Sequence, residues 1–317
     1  MFLDVDRYRY TTKKKRKGGK WVIIPILLII AVGILALTGT LPKIVGFVKN
    51  IGNRTSEQTL LLELWSKQSY DSLIETTERM LKRNPLDRYA LIFKGFAYFY
   101  KAISEPSIER KTSYLQESIR SLRLARILKL GKLDGEVSYI LGKAYFYMGR
   151  YYYDNCIKYI NLSIREGFKA SDQYEYLGLA YTQIGLLKRG IEEYKKALEI
   201  KQSDIILLSI AKNYLQLKNY KKAEEYLLRT INSTKDTLVE RKSRLLLGNL
   251  YLKRGELVKA EKEYKKIISL DAKSADAHYY LGVVYEKMGK PIMARAEWRE
   301  TLRINPNHYA ARLKYYK

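Results

Sequence analysis

Apolar residues follow two regimes along the chain. From Trp21 to Pro42 they run without one charged side chain, and 22 residues at about 1.5 Å each make roughly 33 Å of helix, enough to cross a hydrocarbon core of about 30 Å. This stretch predicts a transmembrane helix over residues 21–42. Beyond it the chain repeats itself. It reads ILGKAYFYMG around Gly142, YLGLAYTQIG around Gly178, LLGNLYLKRG around Gly248 and YLGVVYEKMG around Gly282. Gly178 and Ala211 are 33 residues apart, Ala211 and Gly248 are 37 apart, and Gly248 and Gly282 are 34 apart. A period near 34 predicts stacked helical hairpins.

Each hairpin has a physical logic. In the unit from Ala275 to Pro306, Gly282 removes a side chain from the first helix so that small Ala294 of the second can come close. Tyr285 fills the adjoining space, Trp298 is the large knob of the second helix, and Pro306 follows that helix where it cannot continue. Earlier units use Tyr251, Ala260 and Tyr264, then Tyr214, Ala223 and Leu227, then Tyr181, Gly190 and Tyr194. Upstream the pattern loosens. The unit with Gly142 and Tyr145 takes Cys156 as its small residue, two positions late, which makes that cysteine a core residue. The unit with Gly95 and Tyr98 is lengthened, with a break at Ile103 to Ser107 around Pro106, before Ser118, Leu122 and Ala125 rejoin the pattern. A degenerate first unit runs from about Thr55 to Pro85, with Thr55 and Gln58 in the places of a capping box.

These residues resemble the tetratricopeptide repeat, with its Leu-Gly pair, an aromatic three later, a small residue nine further on and a closing Pro. The resemblance spans residues 55–308, about seven units, and implies an all-α solenoid of helical hairpins with 309–317 as a polar cap. It also implies a concave groove, lined by the first helices, that holds peptides or partner helices. The family's groove positions fall here on Tyr89, Phe96, Phe99, Tyr139, Lys143, Phe146 and Tyr147 in the N-terminal half. In the C-terminal half they fall on Lys212, Lys242, Asn249, Lys253 and Lys287. One half is aromatic and the other basic, which suits an apolar anchor followed by an acidic segment. The lengthened stretch from Tyr100 to Lys132 is an alternative occupant of the aromatic half. Some proteins of this family clamp a chaperone's C-terminal carboxylate with Lys and Asn on successive first helices. Asn249 and several lysines stand here without that paired pattern, which counts against such a role, and a peptide-binding cochaperone-like module is kept only as an alternative.

Charge gives the span a direction. Arg7, Arg9 and six further basic residues, including the run Lys13 to Lys17, precede it, whereas Lys43, Lys49 and Arg54 are those just after it. An excess of Lys and Arg marks the cytoplasmic side. The expected layout is a basic cytoplasmic tail over 1–20, the span over 21–42, a linker over 43–54 and an extracytoplasmic solenoid. The tail would also meet anionic headgroups, at about 1 kcal/mol per basic residue. The apolar run exceeds that of a cleavable signal peptide. This layout is expected of a single-pass protein of a bacterial inner membrane, with the solenoid in the periplasm. By architecture it resembles the periplasmic collar proteins of spirochete flagellar motors, and an adaptor for peptidoglycan or outer-membrane biogenesis is the alternative.

The formal net charge is +26 from 59 basic and 33 acidic residues, yet lysines are mixed with glutamates along every helix and face away from the cytoplasm, so nucleic acid is not the expected partner. One cysteine and two histidines cannot build a disulfide framework or a Cys/His metal cluster. No phosphate loop, paired histidines or nucleophile elbow is present. His278 takes a packing position in its repeat. The expectation is a non-enzymatic scaffold that binds other proteins and needs no cofactor or metal.

Overall fold

The computed structural model describes residues 56–128, 131 and 133–316. The predicted tail, span and linker lie outside the described residues. Among those described, no helix is long and apolar enough to cross a membrane.

Fifteen helices follow one another in antiparallel hairpins, without strands among the described residues. The first hairpin pairs α1 (Ser56–Ser66) with α2 (Tyr70–Arg83), and the second pairs α3 (Arg88–Ser104) with α4 (Ile108–Ile127). The third pairs α5 (Asp134–Met148) with α6 (Tyr153–Arg165), and the fourth α7 (Gln173–Gln183) with α8 (Leu187–Ile200). Then come α9 (Asp204–Gln216) with α10 (Tyr220–Ser233), α11 (Thr237–Arg254) with α12 (Leu257–Leu270), and α13 (Ala275–Lys287) with α14 (Pro291–Ile304). The short α15 (Tyr309–Tyr315) packs on α14 and buries Ala311.

First and second helices differ in what they bury. A second helix such as α2 buries one stripe, Leu73, Thr77 and Met80, at helical spacing. First helices are flanked by neighbours on several sides: α3 buries Leu91, Ile92, Phe93, Phe96 and Phe99 around most of its circumference. Side-chain caps fix several starts. Asp87 accepts from the Ala90 N–H, Ser203 from that of Ile206, and Asp236 from those of Leu238 and Val239.

The turn from first to second helix recurs through a left-handed backbone. Gly149, Gly185, Gly255 and Gly289 have φ between +71° and +89°, and Gln68 and Lys218 occupy the equivalent turns at φ +54° and +57°. The second hairpin departs from this rule. There Pro106 separates α3 from α4, and the Ser107 hydroxyl accepts from the Arg110 N–H to start α4. The lengthened stretch is therefore a longer hairpin, and it does not fold back across the first helices.

Within hairpins the large knob also takes the space that the glycine leaves. A Cβ on Gly282 would meet the Trp298 indole, while in the fourth hairpin a Cβ on Gly190, at the small position, would lie 3.1 Å from the Gly178 carbonyl oxygen, so knob and small residue both use the missing side chain. Gly248 receives Tyr264, Gly178 receives Tyr194, Gly142 receives Ile160 and Gly95 receives Leu122 in the same way. Ala294, Ala260 and Ala223 are buried one helical turn before their knobs. Cys156 is fully buried, with its thiol pushed up by burial. Two apolar clusters result, Leu61 to Ala180 and Ile191 to Trp298, with Tyr174 packed against both.

Candidate partner-binding groove

The groove positions come from equivalent turns of successive first helices, so each side chain's neighbours are those of the first helix before and after it. In the N-terminal half those neighbours are aromatic, and they close over one another. Phe96 is 2% exposed and Phe99 1% exposed. Trp65 of α1 covers Phe96 at a centroid distance of 5.7 Å and also meets Tyr70, Phe93 and Tyr100. Phe99 packs on Tyr147 of α5, and Phe146 of α5 packs edge-on against Tyr176 of α7 at 5.1 Å. Phe96 and Phe99, expected to line an open groove, are core residues.

Tyr139 is 4% exposed and also leaves the lining set. Its hydroxyl donates to Asp172 Oδ1 at 2.5 Å, and Lys143 Nζ donates to both Tyr139 Oη and Asp172 Oδ2 at 3.0 Å. Lys143 also lies over the rings of Tyr139 and Tyr176, at 4.9 and 4.8 Å. Its charge is thus already met within the fold. Burial pushes the Tyr139 and Tyr176 phenols well up, with Asp172 adding to both, so these hydroxyls act as neutral donors. Tyr147 and Tyr176 share a hydrogen bond at 3.0 Å, and Lys111 of α4 lies over the Tyr147 ring. Tyr89, Phe146 and Tyr147 are half-buried. Asp172, Tyr176, Trp65 and Tyr100 belong to this cluster and were not among the expected residues. A signal was present for one of them: Tyr100 continues the helical spacing of Phe93 and Phe96 on a helix already apolar on its other faces.

The C-terminal half is more open. Lys212 of α9 is half-buried, burial lowers its pKa, and among the described residues no hydrogen bond or ion pair meets its ammonium. Lys242 of α11 is half-buried with its pKa lowered in the same way. Asn249 accepts a hydrogen bond from the Tyr264 hydroxyl at 2.8 Å, which fixes the carboxamide through the second helix of its own hairpin. Lys253 is exposed and donates to Tyr220 Oη at 2.6 Å, while Lys287 is exposed. The arrangement can hold an anion by charge and hydrogen bonding. Among the described residues no group of three or more His, Cys, Asp or Glu could hold a metal ion.

Comparison with known proteins bears on the repeats and the fold. Tetratricopeptide repeat models match residues 174–204, 206–236 and 275–308, and a further TPR repeat model matches 248–289. BBSome complex member BBS4 of Bos taurus is 26% identical over 144 residues, 45% of this chain and 27% of that protein, so the match spans about a quarter of the relative's length. The C-terminal part of a TPR repeat-containing protein from Cytophaga hutchinsonii superposes with a TM-score of 0.65 at 15% identity, over 81% of this chain and 98% of that one. MamA protein superposes with a TM-score of 0.49 at 22% identity, over 55% and 93%. The chain carries tetratricopeptide repeats, and its described residues fold as an all-helical solenoid built from them.

Proposed function

We propose that this protein is a membrane-tethered, non-enzymatic scaffold that docks an acidic segment of another protein along the first helices of its last four hairpins. The observation that carries this reading is Lys212. A lysine desolvated by the fold and left without an anion among the described residues is costly unless a bound partner supplies one. Lys253 and Lys287 on the following first helices extend the same positive lining. The closed aromatic half then acts as a rigid base for the open half.

The tether is the apolar run 21–42, and the basic excess before it favours a solenoid outside the cytoplasm. Such a layout suits an envelope assembly, with the flagellar collar as one candidate and wall or outer-membrane biogenesis as the other. Photo-crosslinking in cells from positions 212 and 249, followed by mass spectrometry, tests the reading. Motor components or wall enzymes captured through acidic segments would support it. Capture that survives Lys212→Glu unchanged would overturn the groove assignment.

A further inference from the structure

The turns that join first to second helices repeat along one edge of the solenoid, and the charge of that edge changes midway. The first turns of α2, α4 and α6 carry Asp71, Glu109 and Asp154, acids that complement the partial positive charge of a helix N-terminus. Those of α8, α10, α12 and α14 carry no acid. Cations stand there instead: Lys188 and Arg189 on α8, Lys221 and Lys222 on α10, Lys259 on α12, and Lys290 at the N-cap of α14. All six are exposed.

Four of these cations share one arrangement. Arg189, Lys222, Lys259 and Lys290 lie 5.8, 5.4, 5.2 and 5.9 Å from the ring centroids of Tyr181, Tyr214, Tyr251 and Tyr285, the tyrosine of each repeat's own first helix. The ring faces hold the charges at the rim. Glu256, between α11 and α12, is shared by Lys259 and Arg254. The same edge leaves large apolar side chains in solvent: Leu186 is 44% exposed, Val258 76%, Ile292 86% and Met293 43%. Val258 and Ile292 are each the second residue of their helix, as Lys188 and Lys221 are of theirs, so all four share one register.

A cation at a helix N-terminus is unfavourable, and an apolar side chain in water gains nothing from its exposure. One surface rewards both. At an anionic lipid interface the lysines meet phosphate headgroups, and apolar side chains between them enter the acyl boundary. A nucleic acid would use the cations but leave Val258 and Ile292 without a role.

We propose that the turn edge of the last four hairpins is a peripheral binding surface for an anionic lipid bilayer. It uses solenoid residues alone and stands independently of the span at 21–42 and of the partner groove.

Residues 53–317 form one compact unit that holds both apolar clusters, so this fragment is the material for the test. Its sedimentation is measured with vesicles of phosphatidylcholine and phosphatidylglycerol, and with phosphatidylcholine alone. The fragment is expected to bind the first and not the second, less so as salt rises. Lys188→Glu with Lys221→Glu should weaken binding about tenfold or more. Val258→Ser with Ile292→Ser, which removes the apolar side chains without altering the charge, should weaken vesicle binding several-fold and leave retention on heparin, a soluble polyanion, unchanged. All four positions are exposed, and circular dichroism verifies that each variant keeps its helices. No sedimentation with the anionic vesicles at low salt would overturn the proposal. So would full vesicle binding by the Val258/Ile292 variant, which would reassign the edge to a nucleic acid or an acidic protein.

Discussion

Lys212 and Phe96 occupy the same turn of their respective first helices and have opposite fates. Lys212 keeps a charge that burial penalises and that no anion among the described residues offsets. Its folded pKa lies below its unfolded one, so the unfolded state binds more protons between the two values, and this residue's destabilising contribution fades as pH rises through that window. Lys212→Met should therefore raise stability at neutral pH by about 1 kcal/mol. The gain should shrink towards the ordinary lysine range, as thermal melts at a series of pH values would show. The same variant should weaken binding of an acidic partner, the pattern of a residue kept for function. Phe96 is covered by Trp65 and packs in the core. Phe96→Ala should cost about 3–5 kcal/mol through the cavity it leaves. Partner binding at the C-terminal half, measured below the lowered melting temperature, should be unchanged, and a selective loss of binding with an unchanged melt would return Phe96 to the groove.

Individual hairpins solve one packing problem with different residue pairs, which makes the pairing testable. At Gly248 an added Cβ would meet the Tyr264 ring at 2.7 Å. The fifth hairpin uses Ala211 at that place with Leu227 as its knob, both fully buried. Gly248→Ala should thus cost about 2 kcal/mol by overpacking. Adding Tyr264→Leu, which copies the fifth hairpin, should cost less than the sum of the two single changes, and a double-mutant cycle on urea midpoints measures the coupling. Strict additivity would mean that Gly248 and Tyr264 do not constrain one another. This layer of the fold was legible in the sequence, because Gly or Ala, the aromatic and the knob recur at a fixed period. Spacing places Ala294 and Trp298 on one face but does not say that the Trp298 ring also seats on Gly282. Nor could spacing tell an open groove from a closed one. The face that carries Phe96, Phe99 and Tyr139 is closed by the bulk of Trp65, Tyr147 and Phe168 on other elements, and that depends on how neighbouring hairpins stack.

Across the whole solenoid each hairpin touches chiefly the next, so stability is a sum of hairpin terms and nearest-neighbour interfaces. Those interfaces are unequal. The N-terminal cluster joins α1, α3, α5 and α7 through linked aromatic rings and through the Lys143–Asp172 pair, which ties α5 to the start of α7. The part-buried Arg88–Asp134 pair ties α3 to α5 in the same cluster. Beyond Tyr174 the hairpins are joined by more exposed links, such as Arg254–Glu224, and by fewer aromatic rings, and the half-buried Lys212 stands among their first helices. Unfolding should therefore begin in the last hairpins and stop at the fourth. Hydrogen exchange read by mass spectrometry should show lower protection in α11 to α14 than in α3 to α6. Gly282→Ala, which sets a Cβ against Trp298, should lower protection in α13 and α14 and leave α3 to α6 as they were. Gly142→Ala, which sets a Cβ against Ile160 in the aromatic cluster, should lower protection through α3 to α8, since those hairpins share one core. Equal loss of protection along the entire chain from either change would mean that the two clusters unfold as one body. In that case the aromatic half would not serve as a separate base for the open groove.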